Sequence, residues 1–181
     1  IKMLLNDNSR NLFEKKLLLL IHHHADVDAV ASAIALQTVF KDAVICAPDR
    51  VSSHGQKIAE FNEAEILMNS PEEWGGTVVV LDSPNPEHCN PVPKTKHMIV
   101  IDHHTKIEGW DEGTEIIHQP NKTSTAEIIL QIINELGLKI NKKCANVLLA
   151  AIYTDTGQFR HANNETFSSA SILCENGAEP Q

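Results

Sequence analysis

Short apolar runs alternate along the chain with longer segments that mix apolar and polar positions. The apolar runs are too brief for helices and are bounded by polar or turn-forming residues, which is typical of buried strands. They cover Leu17–His22, Ala43–Ala47, Thr77–Leu81 and His97–Ile101, with residues 115–118 as a further short candidate. Because helical segments separate these runs, the pattern predicts an α/β fold: a mostly parallel sheet with helices on both faces, in a Rossmann-like, three-layer single domain.

The longer segments predict helices, and some of them have recognisable ends. An alanine-rich segment follows the first strand from about Ala29 to Phe40, and residues 55–68, 142–153 and 165–175 also fit helices. Ser124 and Glu127 fit a capping box in front of an apolar helix that should stop at Gly137. Residues 83–93 are rich in proline and asparagine, and they predict an irregular loop.

The net charge of the chain limits the classes of partner that it is expected to bind. The 181 residues include 24 acidic and 15 basic side chains, for a formal charge of −9. A protein that grips long duplex nucleic acid through many phosphates normally has the opposite balance, so such a partner is disfavoured. The four cysteines are widely spread without CxxC spacing, which favours a reducing cytoplasm over a disulfide framework or a zinc–cysteine cluster. No apolar run approaches the length of a membrane span, so no membrane partner is expected.

Acidic and histidine side chains follow three of the predicted strands. They are His22, Asp26 and Asp28 after the first strand, Asp82 after the third, and Asp102, His103 and His104 after the fourth. The carboxyl ends of parallel strands meet at one edge of a sheet, so these groups should share a site. Carboxylate oxygens and imidazole together suit Mn²⁺, Fe²⁺ or Zn²⁺. The alternative is that the histidines are polar loop residues and that Asp28 only caps the helix.

A further motif near the C-terminal helices completes an ordered series. The series is H-x-x-x-D-x-D from His22, the aspartate at position 82, D-H-H at positions 102–104, and D-T-G-x-F from Asp155 to Phe159. In this order the motifs resemble the DHH phosphoesterase family, which includes RecJ-type exonucleases and manganese-dependent pyrophosphatases. The resemblance covers residues 16–160, and the D-T-G-x-F form is most similar to the oligoribonuclease and 3′-phosphoadenosine-5′-phosphate phosphatase branch.

The resemblance implies a site for two Mn²⁺ ions, for which Mg²⁺, Co²⁺ or Zn²⁺ could substitute. The implied ligands are His22 and Asp26 for one ion, Asp28, His103 and Asp155 for the other, and Asp82 as a bridge between them. A shared anionic ligand is chemically reasonable because neighbouring cations repel each other. Together the ions would lower the pKa of a water and supply hydroxide for in-line attack on phosphorus.

Other side chains of these motifs are expected to act on the substrate. His104 would face the phosphoryl group and share the catalytic role with Asp82. Adjacent side chains alternate in an extended segment, so His103 and His104 should point in opposite directions, with Asp102 orienting a ligand histidine. Arg160 and His161 are candidates for contact with a substrate phosphate, and an exposed loop role is an equal alternative for both.

The resemblance also sets the expected domain organisation and activity. Residues 1–176 should form the catalytic domain, and residues 177–181 read as the start of a linker to a second, substrate-binding domain outside this chain. The expected activity is Mn²⁺-dependent hydrolysis of phosphate esters of nucleotides or short oligonucleotides. A pyrophosphatase-like hydrolase and a non-catalytic metal- or nucleotide-binding module are the alternatives, and a homo-oligomer stays open.

Overall fold

The computed structural model describes residues 3–179. Its strands are Leu17–Leu20 (β1), Val44–Ala47 (β2), Ile66–Met68 (β3), Thr77–Leu81 (β4), His97–Asp102 (β5) and Glu115–His118 (β6). Its α-helices are Asp7–Phe13 (α1), Val27–Val39 (α2), Ser53–Phe61 (α3), Thr125–Glu135 (α4), Lys142–Asp155 (α5) and Asn164–Glu175 (α6). A short 3₁₀-helix covers Pro86–Cys89.

The strands form one parallel sheet in the order β3-β2-β1-β4-β5-β6. The chain therefore builds the sheet outwards from β1 in one direction, then returns and builds it outwards in the other. In open sheets of this kind, ligands bind outside the carboxyl ends of the strands where the order reverses, here between β1 and β4. The predicted α/β class, with a parallel sheet in a single domain, is confirmed.

β1 is the centre of the sheet, and its sequence explains why. It consists of four leucines, all buried, which pair with β2 on one side and β4 on the other. A strand with polar alternation could not occupy this position, because both of its faces are covered. The apolar run thus places the residues that follow it, beginning with His22, at the middle of the carboxyl edge.

The two faces of the sheet are covered differently. Leu17 and Leu19 pack into a large cluster with α2, α4 and α5, to which α1 contributes Phe13. Leu18 and Leu20 point to the other face, where a smaller cluster includes Cys89 of the 3₁₀-helix. That second face is completed by residues of loops and strand ends, namely Trp74, Val92, Ile107 and Trp110. In the described part of the chain the α-helices therefore cover one face, and the expected helical cover of the second face is reduced to the 3₁₀-helix Pro86–Cys89.

Three local differences separate the structure from the sequence pattern. Residues 3–15 predict no element, yet α1 forms there because Asn6 caps it and Phe13 stacks on Phe40 at a centroid distance of 5.8 Å. The helix expected over residues 55–68 ends at Phe61, after which Glu63 adopts φ +51° and the chain enters β3. β3 has only three residues at the sheet edge, so its pattern is too short to be distinguished from a helix.

The predicted glycine stop at Gly137 is present, and a second glycine ends the last helix. Gly137 follows the last turn of α4 with φ +68°, and Gly177 follows α6 with φ +91°. Beyond α6, Ala178 is buried and the Glu179 N–H donates to Asn146 Oδ1 on α5. These residues lie in the stretch expected to begin a linker, and Pro180 and Gln181 of that stretch lie outside the described residues. Within residues 3–179, no helix combines the length and apolar character needed to span a lipid bilayer.

Candidate metal centre

The acidic and histidine motifs meet at the carboxyl edge of the sheet. His22 follows β1, Asp82 follows β4, and His103 follows β5, while Asp155 is the last residue of α5. The crevice between β1 and β4 lies at the centre of this group, because the strand order reverses there.

Asp26 and Asp28 have different environments although they are two residues apart. Asp26 is the N-cap of α2, and its Oδ1 accepts a hydrogen bond from the Ala29 N–H at 3.1 Å. The helix consequently begins at Val27, two residues before the expected start. Asp28 lies in the first turn and is fully buried. The cap is therefore Asp26, and the alternative reading in which Asp28 caps the helix is wrong.

The N-terminus of α4 binds the buried Asp28 carboxylate. The Thr125 N–H donates to Asp28 Oδ2 at 2.6 Å, and the Ala126 N–H donates to Asp28 Oδ1 at 2.9 Å. The first N–H groups of a helix have no partner within the helix, and the helix dipole favours negative charge at this end. Ser124 is the N-cap, as predicted, and the Glu127 N–H donates to its hydroxyl. The Glu127 carboxylate accepts instead from the N–H and hydroxyl of Thr123, so only the Ser124 half of the predicted capping box is formed.

Asp82 lies between the other candidate ligands. Its Oδ2 is 3.7 Å from His22 Nε2, and its Oδ1 is 3.5 Å from His103 Nε2. The Thr125 hydroxyl donates to Asp82 Oδ1 at 2.8 Å. Asp82 has φ +57°, a conformation that is unfavourable for a residue with a Cβ and that recurs at functional sites.

Ligand atoms within 4.8 Å of one another form three groups. They are His22, Asp26 and Asp82; Asp28, His103 and Asp155; and Asp82, His103 and His104. The first two groups have the composition that the family resemblance assigns to two ions. Asp82 belongs to the first group and lies next to the second through His103, which is the position that a bridging carboxylate requires.

The two candidate ligand histidines are held in the same way. The Nδ1–H of His22 donates to the His23 carbonyl at 2.8 Å, and the Nδ1–H of His103 donates to the Lys122 carbonyl at 3.3 Å. A proton on Nδ1 leaves the Nε2 lone pair available, and in both rings Nε2 is directed at the carboxylates. Metal-binding histidines are commonly fixed by such a bond from the other ring nitrogen.

His104 is bound by Asp102. The buried Asp102 carboxylate accepts from the His104 N–H at 2.7 Å and from His104 Nδ1 at 3.0 Å. The expectation that Asp102 orients a ligand histidine is therefore wrong for His103, whose Nδ1 is held by a backbone carbonyl. The expected opposite orientation of His103 and His104 is also wrong: β5 ends at Asp102, and the two rings lie side by side with centroids 5.0 Å apart.

The pKa values of the cluster reflect crowded carboxylates in a buried place. Burial, together with the charges of Asp82 and Asp155, raises the pKa of Asp28 well above its usual value. Burial and the charges of Asp82 and Asp26 raise the pKa of Asp155 to about 7. Burial would also raise the pKa of Asp82, but the His22 ring, the charge of His103 and the Thr125 hydroxyl lower it overall.

The pKa values of His22 and His104 move in the opposite sense from that expected for burial. Burial would lower the pKa of His22, but the neighbouring Asp82, the bond to His23 and the charge of Asp26 outweigh it and raise the value. The hydrogen bond to Asp102 raises the pKa of His104 to about 9. The His104 ring is 44% exposed.

The D-T-G-x-F motif forms a tight turn after α5. Gly157 adopts φ +56°, which a glycine permits at little cost. Arg160 lines a cleft together with Asp26 and Asp155. His161 lies behind the turn, with its Cδ2 atom 3.4 Å from the position that a Cβ on Gly157 would occupy.

Two residues of the site were not indicated by the sequence motifs. Thr125 contacts both Asp28 and Asp82, but its S-T-A-E context predicts only a helix cap. His118, at the end of β6, hydrogen-bonds the His104 carbonyl through Nε2 at 2.6 Å. The sequence gives a weak indication of His118, because it is a fourth case of a histidine or aspartate at the end of a strand of this sheet.

The donor set fits divalent cations. Among residues 3–179, no lysine or arginine nitrogen lies within 4.0 Å of a carboxylate oxygen of Asp26, Asp28, Asp82 or Asp155. Carboxylates crowded together in this way need more positive charge than the imidazoles beside them can supply. Oxygen and imidazole nitrogen ligands in this mixture suit Mn²⁺ and similar ions.

A protein-family model described as "DHH family, N-terminal domain" matches residues 16–152. The chain is 31% identical over 147 residues to the bifunctional oligoribonuclease and PAP phosphatase NrnA of Thermus thermophilus, covering 78% of this chain and 44% of that protein. It is 30% identical over 180 residues to the cyclic-di-AMP phosphodiesterase GdpP of Bacillus subtilis, covering 87% of this chain and 27% of that protein. The chain thus spans at most about half the length of these relatives.

A solved structure shows the same fold. An exopolyphosphatase-related protein from Bacteroides fragilis superposes with a TM-score of 0.76 at 21% sequence identity, covering 93% of this chain and 55% of that chain. At this level of identity the likeness establishes the architecture of the sheet and its helices. It extends beyond the residues that the family model matches.

Proposed function

The chain belongs to the DHH family, and from this membership we propose that it is the catalytic domain of a divalent-metal-dependent phosphoesterase that acts on nucleotides or short oligonucleotides. The observation that carries the proposal is a pair of adjacent groups of potential ligands: Asp82 belongs to one group and lies 3.5 Å from His103 of the other, and no lysine or arginine in residues 3–179 is paired to their carboxylates. The acidic net charge agrees with a small substrate held through metal rather than a long duplex.

The residues that would hold two ions are those of the two groups. His22 and Asp26 would bind one ion, Asp28, His103 and Asp155 the other, and Asp82 both. When bound, the ions would neutralise the phosphoryl oxygens and activate a water as the nucleophile. Mn²⁺ is the proposed ion because of the mixed carboxylate and imidazole donors.

His104 would stabilise charge on the substrate. Its ring lines a cleft of about 420 Å³ that also contains Asp82 and His22. The hydrogen bond to Asp102 raises the pKa of His104 and so favours its protonated form, from which the ring can donate a hydrogen bond to a phosphoryl oxygen or a proton to the leaving oxygen. Asp102 remains buried beneath the ring and fixes its orientation.

The substrate assignment rests on the relatives and on the D-T-G-x-F motif. NrnA is named for oligoribonuclease and PAP phosphatase activities, and GdpP for cyclic-di-AMP hydrolysis, so both act on nucleotide esters. We propose that this chain acts on the same class of substrate, nucleotide esters. A second domain, of the kind expected from the resemblance, would supply further contacts with the substrate.

The test is a panel of phosphate compounds assayed with Mn²⁺ and with a chelator, using this chain and a longer natural version. The panel contains 3′-phosphoadenosine-5′-phosphate, a cyclic dinucleotide, RNA of two to five residues, and pyrophosphate. We expect Mn²⁺-dependent hydrolysis of at least one nucleotide ester. Hydrolysis of pyrophosphate alone would favour the pyrophosphatase alternative, and tight Mn²⁺ binding without turnover of any compound by either version would favour a non-catalytic module.

A further inference from the structure

A second cleft opens beside the candidate metal centre. It has a volume of about 550 Å³, within the range of small-molecule sites, and two of the candidate ligands, Asp26 and Asp155, form part of its wall. Tyr153 and Arg160 lie in the wall as well. A molecule with its phosphate at the carboxylate–histidine cluster, formed by the residues of the three groups of potential ligands described above, could therefore extend into this cleft without leaving the protein surface.

Tyr153, in the wall of this cleft, is one end of a row of three aromatic rings. Tyr153 and Phe159 meet edge to face with centroids 5.5 Å apart, and Phe159 stacks on Phe167 at 5.7 Å. Tyr153 is 43% exposed and Phe167 is 55% exposed. Phe159 is anchored from below because it packs against the main hydrophobic core. The row thus has a fixed middle ring and an exposed ring that faces the cleft.

A turn with a strained, left-handed backbone positions this row of rings. Gly157, Gln158 and Phe159 adopt φ values of +56°, +63° and +65° in succession. Two of these residues carry a Cβ, so the turn costs free energy that its surroundings must supply. The buried Thr156 hydroxyl supplies part of it by accepting from the Phe159 N–H at 3.0 Å, and the Gln158 N–H donates to the Tyr153 carbonyl at 2.8 Å.

The turn determines where Phe159 lies relative to α5. An ordinary helix C-terminus would carry Phe159 away along the axis of α5. The left-handed turn instead brings it back against Tyr153, which lies two residues before the ligand Asp155 on the same helix. Strain of this kind persists where the positions of side chains matter, which is the common case at binding sites.

The composition of the cleft indicates its occupant. An exposed aromatic face favours a flat, weakly polar ring, while Ser52, His54 and Gln158 offer hydrogen-bonding groups around it. Arg160 adds a positive charge that suits a phosphate or a base carbonyl. Inorganic pyrophosphate has no flat face and would use none of the aromatic surface. A nucleoside uses both the rings and the polar groups.

We propose that Tyr153, supported by Phe159, is a stacking platform for a nucleobase of the substrate, with the scissile phosphate at the carboxylate–histidine cluster. This inference rests on the proposed function and makes it more specific, since it selects base-bearing esters over inorganic phosphates. Stacking on an aromatic side chain tolerates different bases because every base has a π-face. The platform therefore selects the class of substrate rather than one base.

The first experiment uses the fact that the chain has a single tyrosine. Incorporation of 3-fluorotyrosine gives one ¹⁹F resonance, which is titrated with adenosine 5′-monophosphate and, separately, with ribose 5-phosphate in the presence of Mg²⁺. We expect a saturable shift with the nucleotide and less than about a fifth of that shift with the sugar phosphate. Equal shifts with both compounds, or no shift with either at saturating concentrations, would overturn the platform. The readout needs no turnover, so it stands even if the chain proves inactive.

The second experiment measures selectivity, as the ratio of kcat/KM for a nucleotide ester to kcat/KM for pyrophosphate or another ester without a base. Tyr153→Ala should lower this ratio roughly 10-fold, mainly through KM for the nucleotide, as expected for the loss of one stacked base. Tyr153→Phe should retain the ratio because it keeps the ring. Phe61→Ala is the matched control, since Phe61 is 87% exposed and lines neither cleft.

The outcomes separate the two proposals. An unchanged ratio in Tyr153→Ala, in an enzyme that hydrolyses nucleotide esters, overturns the platform and leaves the proposed function standing. An equal loss on both substrates also overturns it and assigns the rings a structural role or contact with another part of the protein. A nucleotide-specific ¹⁹F shift in a chain without turnover supports the platform and counts against the enzyme.

Discussion

Asp82 lies between the two groups of ligand atoms, on a backbone held at φ +57°. Its two oxygens face in different directions, one towards His22 and the other towards His103 and Thr125. Few side chains could replace it, because asparagine would keep the shape but offers only one acceptor oxygen. The position is thus the most sensitive single residue of the proposed site.

Asp82→Asn should affect both ions at once. We expect calorimetry to give a Mn²⁺ stoichiometry near one or zero in place of two, because the bridging charge is lost. The rate should fall by at least about 10³-fold, comparable with removal of a major electrostatic group. Tight binding of two Mn²⁺ with normal turnover would show that Asp82 is not the bridge.

His103 and His104 should differ although their rings are neighbours. His104→Ala should keep both ions and lower kcat by roughly 10²–10³-fold, because His104 is held by Asp102 towards the cleft. His103→Ala should weaken one ion about 10-fold or more, because its Nε2 faces Asp28, Asp82 and Asp155. Mn²⁺ calorimetry with steady-state kinetics distinguishes the two variants. Equal loss of metal in both would contradict the assignment.

At the scale of elements, the N-terminus of α4 stabilises the buried carboxylates of Asp28 and Asp82. Two backbone N–H groups and one hydroxyl of this helix end are directed at Asp28 and Asp82. The hydrogen bonds come from residues 97 and 98 positions away from Asp28 along the chain. The cap sequence therefore has two roles, since it begins the helix and also aims its free donors at the site.

Thr125→Val tests this second role, because valine keeps the volume and the backbone donor but removes the hydroxyl. We expect Mn²⁺ affinity to fall roughly 10-fold, the lower end for loss of a contact that orients a ligand. Thr125→Ser should restore most of the affinity, which a purely steric defect would not allow. Circular dichroism melting is the control for folding. Wild-type affinity in Thr125→Val would mean that the hydroxyl does not position Asp82.

At the scale of the whole molecule, the cluster of carboxylates opposes folding unless cations or protons neutralise it. Burial and like charges raise the pKa of Asp155 to about 7 and that of Asp28 well above its usual value. These two carboxyl groups therefore bind more protons in the folded protein than in the unfolded chain above about pH 4, where the unfolded carboxyls ionise. This contribution to stability is fully present below about pH 4 and is lost as the pH rises through about 7.

Asp155→Asn should consequently stabilise the chelator-treated protein at pH 8 relative to wild type, with a smaller difference at pH 5. The difference between the two melting curves isolates Asp155 from other groups that titrate. Asp111→Asn removes the same charge from an exposed loop and is the matched control. A Tm of the chelated variant at pH 8 equal to or below that of wild type would contradict the prediction.

Binding of Mn²⁺ should raise the Tm of wild type more than that of Asp155→Asn. With Mn²⁺ at about 100 times its Kd, each site adds roughly 2.7 kcal/mol to the free energy of unfolding. For a protein of this size, that corresponds to a rise in Tm of about 5–10 °C per site. Wild type should show the full rise, and Asp155→Asn a smaller one, as measured by differential scanning calorimetry. Equal rises in both proteins would exclude Asp155 as a ligand.

The sequence by itself determined which residues could form the site. Apolar runs such as Leu17–Leu20 predict buried parallel strands, and parallel strands place His22, Asp82 and Asp102 at one edge. These inferences depend on periodicity and on the order of motifs along the chain, which are local properties. For the same reason α1 and β3 escaped prediction, since each is too short to have a period.

Only the tertiary structure decided how these residues contact one another. It bound Asp102 to His104, fixed both candidate ligand histidines through backbone carbonyls, and brought Thr125 to Asp28 and Asp82. It also folded the D-T-G-x-F turn so that Phe159 supports an exposed Tyr153. The physical reason is that such contacts depend on which distant segments pack together, and many side-chain arrangements fit one hydrophobic pattern until that packing selects among them.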